Sequence, residues 1–377
     1  MKKKLVAVAV AGILGMPLAA QAQTANVVLY GRLNVDVEIL KGQQPAGSPE
    51  AGTNPTATRL SSNSSRFGVR GVESLGNGLN AIFQIESSIN GDTNSGNLGG
   101  RETFVGLQGD WGTFKMGNFL NITDDMHGIF GNVPTYLTSI LSTATLWGQD
   151  NLSRAQGGFD TRNQNSIRYD SPSYNGLTFS GMVSLSDNSG STTDLAGMGR
   201  HAYAANVGAI YSNGPIQFGL NYDSNNKVRG PGLDDHEYTV TGGYDFGPVR
   251  LGLVYEYKKW DTVNGDINND MYGISATIPA GPGKIYAYYG HISNGKGSAP
   301  DGQTLGVASG PVKGPDTSAN QWEVSYTYPL SKRTAVYAGY VKFDNSSNAS
   351  YTFNINNYTV APGGDPGGLV LGMIHMF

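Results

Sequence analysis

Histidines, carboxylates and hydroxyls are the groups that could do chemistry here, and their spacing argues against catalysis. His127, His201, His236, His291 and His375 stand alone, with no His-x-x-x-His or comparable metal-binding interval. No Gly-x-Ser-x-Gly elbow presents a nucleophile. The chain has no Cys, which rules out a disulfide framework and a thiolate metal site. Carboxylates are plentiful, but an acid–base pair would have to assemble from distant segments. The Gly-rich piece Gly96 to Gly100 lacks the following helix that a phosphate site needs, and reads as loop. An enzyme is therefore not expected, nor a bound metal or cofactor.

The elements that would carry any site begin with an address label. Lys2, Lys3 and Lys4 precede an apolar run from Leu5 to Leu14, Pro17 breaks it, and Ala20-Gln21-Ala22 offers a small-x-small cleavage site. Residues 1–22 are expected to be a removed signal peptide, leaving a domain over 23–377 that starts at Gln23. No later window holds the ~18 consecutive apolar residues of a transmembrane helix. With 54 Gly, 21 Tyr and only 38% hydrophobic residues, the composition suits a closed β-barrel, in which every second strand residue faces lipid. Without the leader's three lysines, 22 Lys and Arg face 29 Asp and Glu, a formal charge of −7. Nucleic-acid binding is not suggested.

Strict alternation of apolar and polar residues marks strands with two unlike faces. Leu29, Gly31, Leu33, Val35, Val37 and Ile39 alternate with Tyr30, Arg32, Asn34, Asp36 and Glu38. The same rhythm returns around Phe83, Leu220, Leu253 and Val324, setting a lipid face that includes Leu33, Phe83, Leu220 and Leu253 against an inner face that includes Asn34, Gln84 and Asn221. Roughly sixteen strands can be placed, an even count in the range of bacterial outer-membrane barrels. Tight turns such as Asn77-Gly78, Asn213-Gly214-Pro215 and Gly247-Pro248 supply hairpin dihedrals. They take turns with long polar loops near 41–65, 90–100, 121–162, 187–200, 224–235, 259–270, 292–320 and 344–367. This is an all-β, antiparallel transmembrane barrel with short periplasmic turns and long extracellular loops; a secreted β-sandwich would not keep that rhythm. Tyr203, Tyr244, Phe246, Trp322 and Tyr328, near strand ends, suit interfacial girdles. The loop at about 121–162 carries Leu137, Ile140, Leu141, Leu146 and Trp147, too apolar for a solvated tail, and is expected against an inner wall.

Several stretches resemble the general, non-specific porins of β-proteobacteria. They are Val27-Val28-Leu29-Tyr30-Gly31, Ser65 to Gly71, Leu75 to Glu86, Val105-Gly106-Leu107, Asn165 to Tyr169, Leu330 to Thr334 and the terminal Phe377. The resemblance runs nearly from end to end. It implies a homotrimer in the outer membrane, and a third loop folded into the lumen to narrow a water-filled channel for small hydrophilic solutes and ions. It further implies wall arginines facing that loop, matched here by Arg66, Arg101 and Arg162, with Arg70 and Arg168 sharing inward parity. Arg101 has the parity of lipid-facing Val105 and Leu107, so it reaches the pore only through a bulge or a loop position. Where the family commonly carries a further arginine after Met116-Gly117, this chain has Asn118. Glu86, Asp124 and Asp125 are the candidate acidic partners, and a modest anion preference is expected. The alternative is a substrate-specific channel for a sugar or organic acid, lined by inward Tyr286, Tyr288 and Tyr340.

Overall fold

The computed structural model describes residues 26–43, 56–93, 95–131, 139–148, 152–185, 202–307, 310–353 and 360–377. The leader over 1–22, the Gln23 start, Leu137 and the loop at 187–200 lie outside the described residues.

Strands that face oil on one side must satisfy every backbone N–H and C=O within the sheet, so the sheet has to close. The strands are β1 (Asn26–Gln43), β2 (Thr56–Ser62), β3 (Arg66–Gly76), β4 (Leu79–Asn90), β5 (Ser95–Asn97), β6 (Thr103–Gly109), β7 (Gly112–Leu120), β8 (Arg162–Asp170) and β9 (Leu177–Leu185). They continue as β10 (Tyr203–Asn213), β11 (Ile216–Asn226), β12 (Asp234–Asp245), β13 (Arg250–Thr262), β14 (Gly265–Ala280), β15 (Gly283–Ile292), β16 (Ala319–Pro329), β17 (Thr334–Asn345) and β18 (Asp365–Met376). All belong to one sheet. β2 and β3 both pair with β1 and form one interrupted stave, and β5 and β6 do the same beside β4. The barrel therefore has sixteen antiparallel staves, the number the alternation implied. It closes where β1 meets β18, from Arg32↔Met376 to Gln43↔Asp365, and Gly31 and Phe377 exchange backbone bonds of 3.0 and 3.1 Å.

One rim carries short turns. At Asn77-Gly78 both residues have positive φ, +51° and +77°, as a two-residue hairpin turn matching the strand twist requires. The other rim carries the long connections, with two corrections. Residues 56–62, expected in a loop, extend the stave of β3. The expected loop at 259–270 is a hairpin whose register holds to Thr262↔Gly265. Beyond the apolar band both faces of these strands are wet, so alternation vanishes from the sequence while backbone pairing goes on.

Burial runs opposite to that of a water-soluble protein. Leu33, Leu220, Leu253 and Val324 are 42–57% exposed on the outside, whereas Asn34, Asp36, Glu38 and Asn221 are buried inside. For these residues the lipid and lumen parities read from the sequence are those observed. Outward aromatics pair on the outer face, among them Tyr244 with Phe246, Tyr289 with Trp322 and Tyr222 with Tyr238. Tyr340 is corrected: it points outward at 46% exposure, while Tyr337, Val341 and Phe343 point in and are buried. The inner face of β17 is apolar because it packs under loops. A Cβ at Gly339 would meet Leu141 Cδ2 at 2.8 Å, and Phe343 meets the Phe353 ring edge-on at 5.9 Å.

The apolar core lies within the barrel, between its wall and the segment joining β7 to β8. That segment folds into short helices α1 (Ile122–Asp125), α2 (His127–Phe130) and α3 (Ala144–Trp147), with one-turn 3-10 pieces at Ser139–Leu141 and Arg154–Gln156. Ile122, Met126, Phe130, Ile140, Leu141, Leu146 and Trp147 are buried in one cluster with Met271, Tyr286, Tyr288, Tyr337 and Val341 of the wall. Each large side chain so covered contributes ~1.5–3 kcal/mol.

Candidate functional site

The loop is fastened to one side of the lumen by bonds from inward side chains. Ile122 N donates to Asn206 Oδ1 at 2.8 Å, Asn221 Nδ2 to Thr123 Oγ1 at 2.6 Å, and Thr123 Oγ1 to Glu237 Oε1 at 3.1 Å. Further along, Ser275 Oγ and Tyr286 OH both donate to the Phe130 carbonyl, at 2.7 and 3.1 Å, and Gln321 Nε2 donates to the Ser142 carbonyl at 2.9 Å. Near the loop's end, Arg154 grips Asp223 with two parallel bonds of 3.0 and 3.1 Å, and Trp260 Nε1 donates to the Gly157 carbonyl at 2.8 Å. The covered wall thus runs from β10 to β17. It holds Asp223, Glu237, Glu256 and Glu323, which are buried. Lys258 pairs with Glu256 and also donates to the Trp147 carbonyl.

The opposite wall carries the arginines. Glu86 on β4 lies opposite Gly68 and accepts from Arg101 Nε at 2.6 Å and from Tyr30 OH at 3.0 Å, with Arg66 Nη1 at 3.6 Å. Gly68 makes this possible: a Cβ there would stand 2.5 Å from Tyr30 Cζ. Arg70, exposed, sits with its guanidinium 5.1 Å from the centre of the Tyr30 ring. Arg101 reaches the lumen because it belongs to neither β5 nor β6; the break between them releases it from strand parity. Its carbonyl accepts from Asn118 Nδ2 at 2.9 Å, so the residue that replaces the expected extra arginine holds Arg101's backbone. Arg162 opens β8 within electrostatic reach of Arg101, Glu102, Asp124 and Glu86. Its buried Nε has no hydrogen-bond partner, and no ion pair joins it, among the described residues.

Arg168 reaches across to the loop. It binds Asp170 at 2.9 Å and pairs with Asp125 on α1, while Lys115 reaches Asp170 at 3.0 Å. Asp124 stands on the other flank of α1, its backbone N–H capped by Asn121 Oδ1 at 3.3 Å. Burial, and then the nearby Asp160 carboxylate, push Asp124 up to about 7. His127, read as isolated in the sequence, is fully buried with its Nε2 at 2.8 Å from Asp160 Oδ2. Burial alone would lower its pKa; Asp160 more than offsets this and holds the imidazole above its ordinary value.

All the expected site residues except Arg70 therefore meet in one band between the loop's two ends and the bare wall. Sequence reasoning missed Tyr30, Lys115 and Asp170. Asp170 shares β8 with Arg162 and Arg168, Lys115 lies opposite Arg168 and Tyr30 opposite Gly68, so strand register would have found them. The aromatic slide of a sugar channel is not present in the form expected: Tyr286 and Tyr288 are covered by Phe130, whose ring meets Tyr288 edge-on at 5.2 Å, and Tyr340 faces outward.

No described helix is long and apolar enough to cross a membrane. A sequence model of the Gram-negative porin family matches residues 6–348. An outer membrane porin protein of Bordetella pertussis is 33% identical, with 90% of this chain and 93% of that one covered. The major outer membrane protein P.IB of Neisseria meningitidis is 27% identical over 91% of this chain and 94% of its own. Among solved structures, the anion-selective porin from Comamonas acidovorans superposes with a TM-score of 0.71 at 23% identity, covering 94% of this chain and 100% of that one. A trimer form of OmpT of Vibrio cholerae gives 0.63 at 16% identity, with 94% and 99% covered.

Proposed function

Because the chain belongs to the Gram-negative porin family, we propose that its outer-membrane channel narrows between the inner loop and the arginine wall, and there modestly favours anions. The protein is an outer-membrane porin, a channel and not an enzyme, through which small hydrophilic solutes and ions diffuse. What supports the anion preference is Arg162, a guanidinium that no carboxylate pairs with among the described residues and that stands near Arg101.

The overall formal charge of −4 points the other way, but a pore selects at its narrowest ring, where low-dielectric walls focus the field. Carboxylates at loop tips are screened beyond roughly 8–10 Å near physiological salt. Those of the covered wall are buried behind the loop. The structurally similar anion-selective porin from Comamonas acidovorans agrees with this sign, and the trimer form of OmpT supports assembly of three copies in outer-membrane lipid. Removal of residues 1–22 on export completes the reading.

The test is a reversal potential in a planar bilayer under a salt gradient. Changing Arg66 and Arg162 together to Glu should carry the potential toward cations, while Lys313→Glu, far out in a loop where Lys313 pairs with Asp301, should barely move it. An unmoved potential in the double variant would place the narrow ring elsewhere.

A further inference from the structure

Asp124, His127 and Asp160 each offer one ligand atom, and these three atoms lie within 4.8 Å of one another. From this geometry we infer that the two ends of the inner loop bind one divalent transition-metal ion, of which Zn²⁺ is the representative, through His127 Nε2 and the carboxylates of Asp124 and Asp160.

The cluster differs from a chance gathering of surface acids. His127 is fully buried and the Asp160 side chain is 6% exposed. Asp160 Oδ2 faces His127, while Oδ1 is buried and has no hydrogen-bond partner among the described residues. A buried carboxylate oxygen left unpaired keeps its desolvation penalty, and a bound cation removes it. The surroundings lack cations as well. Behind the loop, Asp160 and Asp223 both bear on Glu237, which also neighbours Glu256, and the Oε2 of Glu237 is a second buried oxygen without a partner. Against these four carboxylates and Asp124 stand three permanent cations, Arg154, bound to Asp223, Lys258, bound to Glu256, and Arg162, within electrostatic reach of Asp124.

One imidazole with two carboxylates suits Zn²⁺ and its neighbours better than Ca²⁺ or Mg²⁺, which prefer all-oxygen shells. Ligand atoms at ~2.0–2.2 Å from zinc stand roughly 3–3.5 Å apart, a spacing His127 and Asp160 already approach; the half-buried Asp124 has the room to turn inward and complete it. Three protein ligands leave a position open toward the lumen, through which the ion can exchange. His127 and Asp160 are 33 residues apart, so the ion would staple the first helices of the loop to its end just before β8. It would also add positive charge beside Arg162.

The experiment uses the refolded, assembled protein, freed of metal with a chelator and titrated calorimetrically with ZnCl₂. The wild type should bind one Zn²⁺ per chain, and Asp160→Asn and His127→Gln should each weaken that binding by about 10–100-fold, the scale of losing a determinant of a metal site. Asp124→Asn leaves the backbone N–H cap of Asn121 on α1 in place, and it should lose affinity for the ion. Added Zn²⁺ should move the reversal potential further toward anions in the wild type and not in Asp160→Asn. Absence of zinc binding in the wild type, or equal binding in the wild type and all three variants, would overturn the site and leave the channel function untouched.

Discussion

Beneath the loop, Asp223, Glu237, Glu256 and Glu323 are at most 1% exposed, whereas across the lumen Arg66 and Arg101 keep 26% and 13% of their side chains open. Both sets face the lumen of the same barrel, Arg101 from the break between β5 and β6. The covered wall behaves like the interior of a folded domain, with apolar packing and desolvated ion pairs. The bare wall behaves like a polar surface whose charged side chains stay partly open. A barrel's net charge and its pore charge can therefore differ in sign, because the loop decides which charges are electrically silent.

The contrast breaks most visibly at Lys258. Replacing it with Met leaves Glu256 buried without its cation, and loss of one partner of a buried pair costs ~3–5 kcal/mol. Urea unfolding from lipid vesicles should register that loss, and single channels should conduct more as the loop loosens. Arg66→Met on the bare wall should cost no more than ~1 kcal/mol, since its pairing to Glu86 at 3.6 Å is partly solvated. Equal losses at the two positions would mean that both walls are equally wet.

Somewhat smaller effects separate the outer face from the inner, and then divide the inner face itself. Leu253→Arg, outward near mid-bilayer, should cost ~2–4 kcal/mol on refolding into vesicles. Gln84→Arg, inward on the bare wall, should refold like the wild type. Sequence parity treats Asn221 like Gln84, yet Asn221 holds Thr123 at 2.6 Å, so Asn221→Arg should unseat the loop and raise conductance. Wild-type conductance in Asn221→Arg would show that the loop does not depend on this anchor. The smallest effect is expected at Asn118. Arginine there exchanges a hydrogen bond to the Arg101 carbonyl for a positive charge, at ~0.5–1.5 kcal/mol of stability, and the reversal potential should shift slightly toward anions.

Much of the barrel was legible because strand geometry is local. A period of two follows from the backbone itself, so Leu33 and Asn34 could be assigned to opposite faces from their order alone. Asn77 and Gly78 announced their turn through the dihedrals those residue types tolerate. Glu86 and Arg66 could be placed on one inner face because register carries parity from β3 to β4. The same reasoning failed where a stave is interrupted, as at Arg101, and where inward residues are apolar because something covers them, as on β17, which is why Tyr340 was assigned to the wrong face.

Composition, alternation and turn chemistry by themselves determined a sixteen-stave barrel, its lipid face and the presence of an apolar loop too long to be a mere connection. Tertiary structure alone decided which wall that loop covers, and therefore that Glu237, Glu256 and Asp223 are buried while Arg66 and Arg162 border the lumen. It alone brought His127 to Asp160 and Trp147 to Lys258, partners 33 and 111 residues apart. The physical reason is range: the fall of side chains along a strand is set by neighbouring bonds, but the seat of a loop inside a closed barrel is set by contacts that exist only after distant staves have joined.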